Sequence, residues 1–120
     1  ILVKQFRVGP EKELEEIVAG KLEAKDGKKE VAAKREVLEE TGYKVKSMKL
    51  LKEFYTCPGP VTEKMSLFYA QVSEQVEAGG GLESENEEIT IIERKLDDFL
   101  TYEYTDAKTI IAQQWLQLNS

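Results

Sequence analysis

The sequence predicts an α+β fold, in which a mixed sheet is clasped by helices in layers like those of an α/β/α sandwich. Stretches of apolar residues with the spacing of strands recur along the chain. Two helical stretches, at 30–41 and 107–118, separate or follow them. The strands and helices do not alternate regularly as βαβ units, which favours α+β over a doubly wound parallel sheet.

Two strands are predicted before the first helix. Residues 1–8 are rich in apolar side chains and stop at the turn signal Gly9-Pro10. A charged stretch at 11–16 follows. The next apolar run, 17–20, predicts a short buried strand that ends on a glycine.

The first helix is predicted at 30–41. Gly42 follows directly and suits the left-handed position after a helix end. Val31 and Leu38 lie seven residues apart on the side away from the helix's glutamates. We therefore expect these two apolar side chains to face the core.

In the second half of the chain the pattern predicts strands, a glycine-rich mobile loop at 78–88 and two helices. Residues 43–55 are predicted to form one or two strands, and 64–72 and 89–93 one strand each. The helices are predicted at 95–100 and 107–118.

Length and composition predict one globular domain covering residues 1–120. Hydrophobic residues make up 41% and charged residues 33%, and no apolar run is long enough to span a membrane. No signal peptide is recognisable, so a cytoplasmic location is expected.

Charge and residue types exclude several function classes. The net charge of −6 and pI of about 4.9 argue against nucleic acid as the main partner, although a small phosphate ligand remains compatible if metal is bound. A single cysteine and no histidine exclude an internal disulfide, Ser-His-Asp catalysis and zinc sites of the histidine or multi-cysteine kind.

The most informative stretch is REVLEETGY at 35–43. Its carboxylates at Glu36, Glu39 and Glu40 have i, i+3 and i+4 spacing, which places them on one helix face, where like charges repel. Mg²⁺ or Mn²⁺ prefers carboxylate oxygens and would neutralise them. The same face would also be compatible with a solvated acidic surface that binds nothing.

This stretch, together with Gly20, resembles the Nudix box, Gly-x5-Glu-x7-Arg-Glu-U-x-Glu-Glu-x-Gly-U, where U is bulky and apolar. Other segments resemble the branch of ADP-ribose pyrophosphatases and related nucleoside-diphosphate-sugar hydrolases, in family order. They are KQFR at 4–7, EIVAGKLE at 16–23, FYTCPG at 54–59, ENEEI at 85–89 and DAKT at 106–109.

The resemblance implies a Nudix fold with a magnesium site, Mn²⁺ being an alternative. It implies side-chain ligands at Glu36, Glu39 and Glu40, a backbone ligand at the carbonyl of Ala19, and an orienting role for Arg35. Metal ions at such a site would neutralise a diphosphate and activate water for attack on phosphorus.

The resemblance also implies a general base and substrate contacts. The base falls on Glu85, with Glu83, Glu87 and Glu88 as alternatives, and Gly79-Gly80-Gly81 would let that loop close over substrate. Arg7 would contact phosphate. Gly59 and Glu63 would lie near the substrate's terminal ribose.

Two departures from the family pattern have consequences. From Gly20 to Arg35 the chain is one residue longer than the box, so its first glutamate corresponds to Asp26 when counted from Gly20 and to Gly27 when counted from Arg35. The strands that precede 4–7 in the family, and that build its homodimer, are expected to be missing, which leaves the oligomeric state of this chain open.

The leading hypothesis is Mg²⁺-dependent hydrolysis of ADP-ribose to AMP and ribose 5-phosphate. GDP-mannose is the second substrate, because Gly79-Gly80-Gly81 and 60–63 also resemble that branch. The alternatives from other classes are a non-catalytic Nudix-like ligand-binding domain and an inert structural module.

Overall fold

The computed structural model describes residues 1–82 and 88–119. The α+β class is confirmed, with strands and helices mixed along the chain. The strands are β1 (Leu2–Arg7), β2 (Lys12–Glu16), β3 (Tyr43–Tyr55), β4 (Lys64–Gln75) and β5 (Thr90–Ile92). The helices are α1 (Lys29–Thr41), α2 (Leu96–Thr101) and α3 (Ala107–Leu118), and a 3₁₀ turn covers Ala24–Asp26.

The strands form two separate sheets. The first has the order β2-β1-β5, and the second is the long hairpin β3-β4. Each of the three pairings among the described residues is antiparallel. In the first sheet Val3 lies opposite both Glu16 and Ile91, which places β1 at the centre.

The strand predicted at 17–20 is wrong. The second strand is instead the charged segment Lys12–Glu16, and residues 17–20 continue beyond it without regular structure. The reason is pairing: the tight turn after β1 brings 12–16 back alongside it, and the backbone ladder forms whatever the side chains are. The apolar run at 17–20 therefore contributes to the interior of the protein without forming a strand.

The glutamate side of α1 faces inward. Val31 is 46% exposed, so the expectation that it faces the core is wrong. The buried positions are instead Ala32, Glu36 and Glu40, at i, i+4 and i+8, and Thr41 at the end of the helix. Helical geometry thus turns the carboxylates toward the rest of the molecule.

The main apolar cluster lies where β1 meets α2 and α3. Leu2, Phe99 and Tyr104 are buried there. Packed around them are Ile17, Ile92, Leu100, Ile110 and Leu116. The helices α2 and α3 are tied by the buried amide of Gln113, whose Nε2 donates to the carbonyls of Phe99 and Tyr102, both at 2.7 Å.

The helices of the described part of the chain are all too short or too polar to cross a membrane.

Candidate active site

Arg35 is the centre of a cluster of carboxylates, which we call the Arg35 cluster. Its Nη1 donates to Glu36 Oε1 at 2.9 Å and to Glu39 Oε2 at 3.1 Å. Its Nε and Nη2 donate to both oxygens of Asp26, at 2.8 and 3.0 Å. The guanidinium therefore orients three carboxylates at once, and their charge raises its pKa, with the hydrogen bond to Asp26 as the main cause.

Asp26 takes the position of the first acidic residue of the motif. Of the two residues that counting allows, it is Asp26 whose carboxylate reaches Arg35. That hydrogen-bonded pair lowers the pKa of Asp26 from 3.8 to about 2. The next residue, Gly27, has φ 71° and ψ −52°, and the Lys28 N–H donates to the Asp26 carbonyl at 2.7 Å. This tight γ-turn takes up one residue just before α1 begins.

Gly20 lies directly against the side chain of Glu36. A Cβ added at Gly20 would be only 2.0 Å from Glu36 Cδ, so no larger residue fits without movement. This close approach brings the backbone of Ala19 and Gly20 to the inward face of α1. Ala19 and Glu36 also line the same cavity.

The donor set has the chemistry of a hard-cation site, since carboxylates and a backbone carbonyl are what Mg²⁺ binds. Glu40, at 2% exposed, is the most deeply buried of the three predicted side-chain ligands. However, in residues 1–82 and 88–119 no three acidic or other metal-ligating side chains converge closely enough to hold an ion. The residue types fit the metal, and Arg35 holds two of the predicted ligands, Glu36 and Glu39, by hydrogen bonds.

A second set of charged side chains surrounds Glu16, and we call it the Glu16 cluster. Arg7 donates to both oxygens of Glu16, at 2.7 and 2.8 Å. Lys108 Nζ lies 2.6 Å from Glu16 and 3.0 Å from Asp106. The Asp106 carboxylate also accepts from the Thr109 hydroxyl at 2.6 Å.

Burial by itself would raise the pKa of Glu16, which is 1% exposed, but the hydrogen bonds from Arg7 and Lys108 lower it below its usual value. Arg7 also feels the charge of Glu40, which adds to the rise in its pKa caused mainly by Glu16. The Glu16 cluster is therefore an electrostatic neighbour of Glu40.

Sequence reasoning missed the site-building role of Glu16 and Lys108. Both lie in segments that resemble the family, but the sequence pattern predicts no role for either. The available signal was a glutamate directly before the apolar run 17–20, where its carboxylate would be costly to bury unless a cation pairs with it.

A cavity of about 840 Å³ opens between the two sheets. Its walls include Ala19, Gly20, Glu36 and Glu63, together with apolar side chains of β3 and β4. Glu63 is exposed and accepts a hydrogen bond from the Thr56 hydroxyl at 2.8 Å. The structure thus brings Glu63 to the same cavity as Glu36.

The remaining predicted residues lie elsewhere. Arg7 and Gly59 do not line this cavity, and Gly59 lies in an exposed turn. Glu85 lies outside the described residues, as do its alternatives Glu83 and Glu87.

Comparison with known sequences identifies the family of this chain. The sequence model of the NUDIX domain matches residues 1–114. The chain is 42% identical to the ADP-ribose pyrophosphatase of Bacillus subtilis (strain 168), over 98% of its own length and 65% of that protein's. It is 42% identical to the methanol dehydrogenase activator of Bacillus methanolicus, again over 98% and 65%. It is 38% identical to the GDP-mannose pyrophosphatase of Cronobacter sakazakii (strain ATCC BAA-894), over 98% and 66%.

The chain therefore spans about two thirds of the length of these relatives, a little less in each case. The resemblance predicted from the glutamate stretch is confirmed by a match that runs almost from end to end: the chain belongs to the NUDIX domain family.

Proposed function

We propose that this chain hydrolyses the diphosphate bond of a nucleoside diphosphate sugar, with ADP-ribose as the preferred substrate. Water would add to one phosphorus and the bridging P–O bond would break, giving AMP and ribose 5-phosphate. The observation that carries the proposal is the Arg35 cluster. One guanidinium holds Glu36 and Glu39 of α1 together with Asp26 from the turn before the helix, beside a cavity that Ala19 and Glu36 line.

The same residues support a requirement for Mg²⁺. Glu36, Glu39, Glu40 and the carbonyl of Ala19 would hold the ion. When bound, it would neutralise the diphosphate and lower the pKa of a water molecule. Because Arg35 binds Glu36 and Glu39, it would fix the directions from which they approach the ion.

The chain's other residues would bind substrate and move a proton. A carboxylate must take the proton of the attacking water, and Glu85 stays our assignment for that base. Glu63 would meet the sugar end of the substrate from the cavity wall. Arg7 and Gly59 stay predicted substrate contacts, although two donors of Arg7 are engaged by Glu16.

GDP-mannose is the second candidate substrate. The chain is 38% identical to a GDP-mannose pyrophosphatase, close to its identity with the ADP-ribose enzyme. Both molecules present the same diphosphate to the site and differ in base and sugar, so the choice depends on contacts away from the carboxylates.

The test is a panel of ADP-ribose and GDP-mannose with Mg²⁺, read by coupled phosphate release from the products. We expect turnover of ADP-ribose above that of GDP-mannose, and none once EDTA removes the metal. Glu40→Gln keeps the size of the side chain but loses its charge. Since loss of an outer-shell partner already costs roughly 10–100-fold, loss of a ligand should lower turnover by about 100-fold or more.

Circular dichroism spectra of Glu40→Gln should match those of the unsubstituted protein. Glu74→Gln, on an exposed part of β4, is the matched control and should retain turnover. Normal hydrolysis by Glu40→Gln would refute the ligand role. Binding of ADP-ribose by calorimetry without turnover at any Mg²⁺ concentration would instead establish a non-catalytic binding domain.

Homodimerisation, the cytoplasmic location and the single-domain boundary at 1–120 stay predictions.

A further inference from the structure

The end of helix α1 is closed by a segment from elsewhere in the chain. A helix leaves its last four carbonyls without partners in the helix, and here each of those four has one. The Leu38 carbonyl accepts from Gly42 N at 2.8 Å, which is the ordinary local cap. The carbonyls of Glu39, Glu40 and Thr41 accept from residues 75–81, which begin at the last residue of β4.

The three long-range bonds come from two backbone amides and one side chain. Gly80 N donates to the Glu40 carbonyl at 2.7 Å, and Gly81 N donates to the Glu39 carbonyl at 3.0 Å. Gln75 Nε2 donates to the Thr41 carbonyl at 3.0 Å. We call residues 75–81 the cap segment. It binds the backbone of the same two residues, Glu39 and Glu40, whose side chains are predicted metal ligands.

Glycine is required for this contact. Gly79, Gly80 and Gly81 all have positive φ, at 72°, 93° and 84°. A Cβ at Gly79 would lie 2.5 Å from the Thr41 carbonyl carbon and 2.9 Å from the Glu40 carbonyl oxygen. A Cβ at Gly80 would meet only the Ile89 carbonyl oxygen, at 3.7 Å. Of these two glycines, only Gly79 therefore has no room for a Cβ beside the helix end.

The cap segment also contacts Gly42, the residue directly after α1. The Gly42 carbonyl accepts from Val76 N at 2.7 Å and from Glu77 N at 3.2 Å. A Cβ at Gly42 would overlap the Glu77 carbonyl oxygen at 1.9 Å. Gly42 after the helix and Gly79 in the cap segment thus let the two backbones pack directly against each other, without side chains between them. The described glycines of this region contact the end of α1, and that they let the loop close over substrate stays a prediction.

We propose that the cap segment is a positioning element that fixes the last turn of α1 and so sets where the Glu39 and Glu40 carboxylates point. The inference rests on the proposed function, because that function makes the two carboxylates metal ligands. It assigns positioning roles to Gly79 and Gln75, neither of which needs to touch substrate. Moving the turn's backbone would move both carboxylates relative to Glu36, one turn earlier.

The experiment measures Mn²⁺ binding by electron paramagnetic resonance, and Mg²⁺-dependent turnover beside it. Gly79→Ala should weaken Mn²⁺ binding by about 10–100-fold, the range found when support of metal ligands is removed. Gly9→Ala, in the exposed turn after β1, is the control, because a Cβ added there meets nothing within 4 Å and Gly9 lies outside the cap segment. It should bind Mn²⁺ as the unsubstituted protein does.

Gln75→Leu tests the cap without touching a glycine, in case Gly79→Ala does not fold. It removes the donor to the Thr41 carbonyl and should weaken Mn²⁺ binding by several-fold, on the order of a lost second-shell contact. Gln114→Leu, at an exposed glutamine of α3, is its control and should bind as the unsubstituted protein does. All affinities are compared at a temperature where circular dichroism shows each variant folded.

The outcomes separate the two proposals. An unsubstituted protein that neither binds Mn²⁺ nor hydrolyses a nucleoside diphosphate sugar would overturn the proposed function. An unsubstituted protein that does both, with unchanged Mn²⁺ affinity in Gln75→Leu and in folded Gly79→Ala, would overturn the positioning role alone. Weaker binding in these two variants, with Gly9→Ala and Gln114→Leu near normal, would support it.

Discussion

The Arg35 cluster and the Glu16 cluster are both built from charged side chains, but they differ in charge balance. In the first, three carboxylates hydrogen-bond to one guanidinium, so the hydrogen-bonded group has a net formal charge of −2. In the second, Arg7 and Lys108 meet Glu16 and Asp106, two cations with two anions. Excess charge is costly to keep among poorly hydrated groups, whereas balanced charge is satisfied as it stands.

This difference separates the tasks of the two clusters. The surplus of carboxylate at Arg35 is what a divalent cation would neutralise, so that cluster is suited to binding. The Glu16 cluster instead joins β1, β2 and the start of α3, because its members come from all three. We therefore expect substitutions in the Glu16 cluster to act mainly on stability, and those in the Arg35 cluster on pH and metal dependence.

The largest stability effect should come from Glu16→Ala. Lys108 would stay buried with only Asp106, and Arg7 would lose its bidentate partner. Removing one partner of a buried ion pair costs about 3–5 kcal/mol, and we expect the lower end because the Arg7 side chain is 43% exposed. Urea denaturation measures it, with Glu13→Ala on the same strand as the control. A cost under about 1 kcal/mol would mean that this cluster does not hold the elements together.

Thr109→Val should have an intermediate effect. The Thr109 hydroxyl accepts from Ile17 N at 2.9 Å and donates to Asp106, and the residue is fully buried. Valine fills the same space but leaves the Ile17 amide without this acceptor, which costs about 1–3 kcal/mol. Thermal unfolding followed by circular dichroism gives the change, and Thr101→Val at an exposed position should be close to neutral. Equal stability of Thr109→Val and the unsubstituted protein would contradict the link between 17–20 and α3.

The smallest effect, and the one most specific to the Arg35 cluster, is a pH dependence. The folded-state pKa of Asp26 is about 2, below its ordinary 3.8. A lowered carboxyl pKa stabilises the fold above the ordinary value, and that contribution disappears as pH falls from about 4 to about 2. Asp26→Asn should therefore be less stable than the unsubstituted protein at pH 6, with a gap that closes on acidification.

The midpoints of urea denaturation at pH 6, 4 and 3 measure this difference in stability between Asp26→Asn and the unsubstituted protein. Asp97→Asn, at an exposed position of α2, is the control and should show little gap at any of these values. A gap for Asp26→Asn that stays constant from pH 6 to pH 3 would show that the ion pair with Arg35 does not set the pKa.

The predicted helices agree with the structure to within a residue or two, because each rests on local signals. The helix at 30–41 ends where Gly42 adopts φ 76°, as its sequence position predicts. The last helix is capped by Asp106, which accepts from Thr109 N. Helix ends depend on neighbours in the chain, so sequence alone identifies them.

The predictions that were wrong concern which apolar residues are buried and what structure they form. Val31 was expected in the core on grounds of apolarity, yet the inward face of α1 holds Glu36 and Glu40. Residues 17–20 were expected to form a strand on the same grounds. A periodic pattern shows which residues share a face, but when both faces contain polar groups it does not show which face is covered.

The sequence by itself determined the family, the helix that carries REVLEETGY, and the set of carboxylates on one face of it. These follow from spacing along the chain, which fixes neighbours within a helix. Only the tertiary structure decided that Asp26 is the partner of Arg35, that Glu16 gathers Arg7 and Lys108, and that residues 75–81 close the end of α1. Each of these contacts joins segments that are separate in sequence, and buried polar groups find such partners only when the elements pack.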